Sequence, residues 1–234
     1  MKNGSTTIVA ISGFSSNTGK TTLMCELLRA LPGWEAIKLT RGHYRSCGKD
    51  PDACCVSDLL GDESQVRSGR GENYAAGKDT GRFWDAGATN VHWIIATDEQ
   101  VEMGIKQALD RVQTPGVLIE GNSFLNFVDA DFALVCARAE GGTIKSTARH
   151  ALEKADGIYV SAITDDGPTA RARFASWRAG LAIDLEIDGL PIYTRDDLPQ
   201  LIARLKKINL ALENTAKNLQ SGRGHAPALE SLIP

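Results

Sequence analysis

The chain has 234 residues, enough for one large α/β domain or two small ones, and a domain of this size buries roughly 70% of its unfolded surface. Its 26 basic and 29 acidic residues leave a formal charge of −3, so no overall positive field advertises a nucleic acid or an anionic membrane as partner. The longest apolar runs, such as 91–96 and 132–137, fall far short of the roughly 20 residues that cross a bilayer, and residues 1–5 lack the regions of a signal peptide. A cytoplasmic protein without a nucleic acid or membrane partner is expected.

Residues 6–12 (TTIVAIS) form a β-branched apolar run, and residues 20–31 follow with apolar side chains at helical spacing. Residues 34–40 predict a second strand. Residues 41–87 are rich in Gly, Asp, Ser and Arg, with no sustained periodicity, and loops of that length are usually functional or mobile. Four more near-continuous apolar runs come at 91–97, 116–120, 132–137 and 157–163, with helical patterns between most of them, notably 99–112 and 143–154. A helix over 170–181, a short strand near 184–187 and a last helix over 198–219 complete the pattern. Buried strands alternating with helices predict an open, mostly parallel α/β sheet covered on both faces. One domain over residues 1–220 is expected, followed by a loose tail over 221–234.

Between the first strand and its helix the chain reads Gly13-Phe-Ser-Ser16-Asn17-Thr18-Gly19-Lys20-Thr21-Thr22. Glycines there let backbone N–H groups converge on an anion, and the helix N-terminus adds partial positive charge. Lys20 is placed to reach β- and γ-phosphates, and the Thr21 hydroxyl to bind Mg²⁺, which makes the segment a phosphate loop for a nucleoside triphosphate. Five residues stand between Gly13 and Gly19 where the common motif has four. This enlarged loop resembles that of dethiobiotin synthetase and its relatives in the SIMIBI branch of P-loop proteins. The resemblance implies a homodimer, because the nucleotide in that branch often bridges two subunits.

Three further segments resemble the molybdopterin-guanine dinucleotide biosynthesis protein B family. They are Ile37-Lys38-Leu39-Thr40, Gly77-Lys78-Asp79-Thr80-Gly81-Arg82-Phe83-Trp84-Asp85-Ala86-Gly87-Ala88, and Ile119-Glu120-Gly121. The resemblance covers residues 6–125 and implies a GTP- or ATP-binding adaptor of molybdenum-cofactor nucleotide attachment, with a molybdopterin transferase as partner. Two departures stand out: Leu39-Thr40-Arg41-Gly42-His43 replaces the family's histidine-rich strand end, and Asn122-Ser123 replaces its aromatic-Lys pair.

Lys38 and Glu120 both fall at carboxyl ends of predicted parallel strands, the edge where open α/β sheets bind ligands. Glu120 is placed either to hold Mg²⁺ through a water or to accept a proton, and Lys38 to neutralise a transferring phosphoryl group. Asp79 and Arg82 join them as nucleotide-site candidates, with Arg82 and Lys78 directed at a second, phosphate-bearing ligand. Asn-Lys-x-Asp, a frequent guanine-reading motif, is absent, and Asp165 or Asp166 is left to that task, so ATP and GTP stay open.

The five cysteines, an odd number, fit a reducing compartment. Cys25 and Cys136 lie in apolar segments and are expected in the core, while His92, His150 and His225 carry no functional signal. His43, Cys47, Cys54 and Cys55 share a polar loop and make a tentative site for Zn²⁺ or an Fe–S cluster. Three functions therefore stand side by side: a nucleotide-binding adaptor with weak hydrolysis, a small-molecule kinase or ATP-dependent ligase of dethiobiotin-synthetase type, and a metal-insertion or metal-sensing NTPase.

Overall fold

A computed structural model describes residues 6–42, 59–163, 166–181, 187 and 189–222. In chain order the elements are β1 (Thr7–Gly13), α1 (Lys20–Ala30), β2 (Glu35–Arg41), β3 (Gln65–Ser68), α2 (Arg70–Asn73), α3 (Asp79–Asp85), β4 (Val91–Ala96), α4 (Val101–Asp110), β5 (Gly116–Glu120), β6 (Phe132–Arg138), α5 (Ser146–Glu153), β7 (Gly157–Ser161), α6 (Gly167–Ala179), β8 (Ile192–Tyr193) and α7 (Leu198–Gly222). The strands form one 8-stranded sheet in the order β3-β4-β2-β5-β1-β6-β7-β8. Every pairing is parallel except that of β3 with β4. The expected open α/β sheet is therefore the fold found.

Two apolar layers explain why the strands read as continuous runs. Val9 and Ile11 of β1 pack with Leu23, Leu27 and Leu28 of α1 on one face. Ile8 and Ala10 pack with Ile105 and Ala108 of α4 on the other. A strand buried on both faces needs no alternation, and all seven residues of β1 are buried. Cys25 and Cys136 are buried as expected, and burial pushes the Cys136 thiol up to about 12.

The stretch expected to be one long loop holds β3, α2 and α3 in its second half. β3 is a four-residue, half-buried edge strand without an apolar face, and α3 is a two-turn helix interrupted by Gly81. That glycine is required: a Cβ there would meet the Ala75 carbonyl oxygen at 2.0 Å. The strand expected near 184–187 falls almost wholly outside the described residues, as does 223–234. The terminal strand is instead β8, too short to leave a periodic signal. Among the described residues no helix is long and apolar enough to cross a membrane.

Candidate nucleotide site

The carboxyl ends of β1, β2 and β5 lie side by side in the middle of the sheet. Ile11 is in register with Glu120, and Lys38 is in register with the same Glu120. The turn after β1 and the start of α3 close over them, leaving a cavity of about 510 Å³.

The phosphate loop runs from Gly13 to the first turn of α1. Two residues in it adopt the left-handed region, Asn17 at φ 60° and Gly19 at φ 84°. Asn is among the few side chains that tolerate this. Gly19 is further confined, since a Cβ would sit 2.8 Å from that of Ser161. Ser161, at the end of β7, donates its hydroxyl to Thr18 O at 3.1 Å and pins the loop from the far side. Lys20 Nζ folds back under the loop onto Ser15 O (2.9 Å) and Thr18 Oγ1 (3.4 Å). Burial lowers the Lys20 ammonium below its ordinary range, and Glu120 opposes this without cancelling it.

Behind the loop stands a charged cluster. Glu120 is 2% exposed and uses both oxygens: Oε2 accepts from Thr21 Oγ1 at 3.1 Å, and Oε1 accepts from Lys38 Nζ at 2.7 Å. Lys38 also reaches Asp79 Oδ2 at 2.7 Å. Burial presses Lys38 down, yet the Glu120 and Asp79 carboxylates outweigh it and hold the ammonium above its usual value. Asp79 shows the converse: burial favours its neutral form, and Lys38 overrides that to keep it below the usual carboxylate range. Arg82, one turn on in α3, donates to Thr22 Oγ1 at 3.4 Å.

Gly13, Ser16, Asn17, Thr18, Gly19, Lys20, Thr21, Thr22, Lys38, Asp79, Arg82 and Glu120 thus all line one cavity. Lys78 does not join them. Lys38 differs from its expected role in one respect: the two carboxylates already neutralise it. Asp166 is the N-cap of α6, its Oδ1 accepting from Thr169 N at 2.8 Å, which explains its type without a base to read. Asp165 lies outside the described residues, as do His43, Cys47, Cys54 and Cys55. Among the described residues, no group of three or more His, Cys, Asp or Glu is placed to hold a metal ion.

Three contributors carried no sequence signal. Asn122 Oδ1 accepts from Gly13 N at 3.0 Å while its Nδ2 donates to Gly13 O at 2.9 Å, so the amide copies a strand pairing and fastens β5 to the loop. Thr147 and Lys145 reach the cavity from the turn into α5. They sit more than 100 residues from the loop in sequence, where no local pattern connects them to it. A second cavity, about 480 Å³, opens on the other side of the loop and shares Asn17, Gly19 and Thr22 with the first.

A glycine-rich turn between a buried parallel strand and a helix, its lysine folded beneath it and a strand-end carboxylate on its threonine, defines a P-loop nucleotide-binding protein. No protein-family model matches this chain, nor does any curated protein. It is similar to the solved structure of HypB from Helicobacter pylori in complex with nickel, at 13% identity over 92% of this chain and 90% of that one, with a TM-score of 0.47. It is also similar to the signal recognition particle 54 kDa protein from Aeropyrum pernix K1 in complex with GDP, at 13% identity over 94% of this chain and 51% of that one, TM-score 0.42. A plasmid partition protein from Borrelia burgdorferi B31 bound to AMPPNP gives 13% identity over 90% and 99%, TM-score 0.38. With each of these TM-scores below 0.5, the likeness assigns no ligand, reaction or partner.

Proposed function

We propose that this protein binds a Mg²⁺-nucleoside triphosphate on the loop from Gly13 to Thr22, hydrolyses it slowly, and acts as a GTP- or ATP-binding adaptor in molybdenum-cofactor nucleotide attachment. The observation that carries this reading is the Lys38 clamp. The segment by which the chain resembles the molybdopterin-guanine dinucleotide biosynthesis protein B family begins α3, and its Asp79 meets Lys38 and, through it, Glu120 at the phosphate end of the cavity. Phosphate oxygens arriving there compete for Lys38, so the position of α3 responds to the nucleotide, and a partner transferase reads that position.

The donors offered to a cation, the Thr21 hydroxyl and the Glu120 carboxylate, are hard oxygens that suit Mg²⁺. When bound, the ion neutralises charge on the β- and γ-phosphates. Lys20 holds the phosphates from beneath, and Glu120 orients the attacking water. The base and ribose leave the loop towards the second cavity, across Asn17 and Thr22.

Arg41 also lines the phosphate cavity, beyond Lys38. Its guanidinium is paired with Asp98 at 2.5 Å, and an anionic acceptor able to displace that carboxylate would favour a second reading, a small-molecule kinase or ATP-dependent ligase. Hydrolysis stimulated by a partner protein supports the adaptor, and turnover that requires a small anionic acceptor supports the kinase or ligase. Calorimetry on Lys20→Ala tests the shared premise. Triphosphate affinity is expected to fall at least about 10-fold, the scale of a lost charged hydrogen bond to a phosphate. Undiminished affinity removes both readings.

A further inference from the structure

Two ammonium groups at the phosphate cavity have no carboxylate partner among the described residues. Lys20 bonds the neutral oxygens of Ser15 and Thr18, and Lys145 Nζ reaches Ser16 Oγ at 3.4 Å. Lys38, by contrast, is held by two carboxylates. The Lys145 side chain is exposed, but its backbone is anchored. Its backbone N–H donates to Phe14 O at 2.9 Å, which ties the residue before α5 to the start of the phosphate loop. Two residues on, Thr147 Oγ1 accepts from Asn122 Nδ2 at 3.4 Å, and the same Asn122 amide grips Gly13.

The start of α5 is therefore fastened at two points to the beginning of the turn after β1, Phe14 directly and Gly13 through Asn122, and the fastening carries an ammonium to the loop. That ammonium faces a like charge, and its field adds to the burial that lowers Lys20. Lys20 feels the Glu120 carboxylate as well as the like charges of Lys38 and Lys145, and an anion seated between Lys20 and Lys145 would relieve their mutual repulsion. Fixing them there in advance is the arrangement that stabilises phosphate charge without reorganisation.

We propose that Lys145 is a second phosphate ligand, supplied by the same chain, which holds the terminal phosphate of the bound triphosphate together with Lys20. The proposal rests on the nucleotide reading above and extends it. A lysine acts as a compact point charge on a flexible stem, so an arginine at this position is expected to substitute in charge but less well in fit.

The test measures binding of a non-hydrolysable triphosphate and of the matching diphosphate to wild type, Lys145→Ala, Lys145→Arg and Lys20→Ala, each with Mg²⁺. Lys145→Ala is expected to lose about 10-fold or more in triphosphate affinity and under about 3-fold in diphosphate affinity, with Lys145→Arg recovering most of the difference. Retained diphosphate binding shows that the variant is folded. Equal triphosphate affinity in wild type and Lys145→Ala, while Lys20→Ala loses it, overturns the proposal and leaves the nucleotide site intact. If Lys20→Ala also binds like wild type, the nucleotide reading falls and this inference with it.

Discussion

Strand β2 carries two charged residues three positions apart, Glu35 buried and Lys38 partly exposed, and they have opposite purposes. Glu35 points to the α4 side of the sheet and Lys38 to the α1 side, because an odd separation along a strand reverses the face. Glu35 is 2% exposed and its oxygens meet His92 Nε2 at 2.5 Å and the Gln113 N–H at 2.8 Å, while His92 Nδ1 lies 2.8 Å from Ser68 Oγ. Every partner is a fixed part of the fold, and the network joins β2, β3, β4 and the turn after α4. Lys38 also has partners, but it opens onto a cavity where phosphate oxygens can displace them. A closed polar network specifies a fold, and an open one provides a site.

The largest effect should come from breaking the closed network. Glu35→Ala strands a fully buried imidazole and the Gln113 N–H, and is expected to cost about 3 kcal/mol or more. Chemical denaturation reads the loss. Triphosphate affinity should survive wherever the protein is still folded, since Glu35 faces away from the cavity. The pH dependence sharpens this. Burial favours the neutral Glu35 carboxyl, but the His92 and Gln113 hydrogen bonds outweigh it and hold the group below its usual range. Its contribution to stability is thus present above the unfolded carboxylate range near pH 4.3 and is lost as pH falls through the lower folded value. Glu35→Gln should flatten the acid limb of the stability curve; an unchanged limb means that the network does not carry the acid sensitivity.

The corresponding change in the open network should spare the fold and stop the chemistry. Glu120→Gln keeps the side-chain shape and the Thr21 contact, so triphosphate affinity should stay within about 3-fold while turnover falls roughly 100-fold, the scale of a lost catalytic carboxylate. Steady-state hydrolysis together with calorimetry separates the two. Unchanged turnover makes Glu120 a second structural carboxylate like Glu35 and removes the contrast.

The two networks were unequally legible. Glu120 is legible because it ends a buried apolar run, whereas Lys38, expected at a strand end, is the fourth of the seven residues of β2 and reaches the site because it is in register with Glu120. Glu35 begins such a run and meets a histidine without functional signal, His92, which is in register with Ile37, so only the pairing of β2 with β4 reveals what either does. Asp79 and Arg82 were named through a resemblance, not a pattern, because a short helix with an internal glycine has no periodicity to detect. Asn122 and Lys145 depend on contacts across more than 100 residues, and Thr147 on one with Asn122 across 25, so none left a local trace. The parallel character of the central strands followed from alternation of buried runs and helices, whereas their order and the edges β3 and β8, short and only partly covered, did not.

The smallest effect is expected at the outer arm of the clamp, and it measures how open the site is. Asp79 is 39% exposed, so its ion pair with Lys38 is screened by solvent, and pairs of that kind contribute about 1 kcal/mol or less. Asp79→Asn leaves Lys38 bound to Glu120 and keeps an acceptor oxygen for its ammonium. Stability should therefore change by less than about 1 kcal/mol. The consequence should appear with nucleotide: one fewer carboxylate competes with phosphate for Lys38, so triphosphate is expected to bind equally or up to about 5-fold more tightly, and the gain should shrink as salt is added. Hydrogen exchange of α3 amides supplies the second readout, with nucleotide altering protection there in wild type and less so in the variant. A weaker-binding Asp79→Asn would mean that this carboxylate helps to hold the cation and its phosphates instead of restraining Lys38.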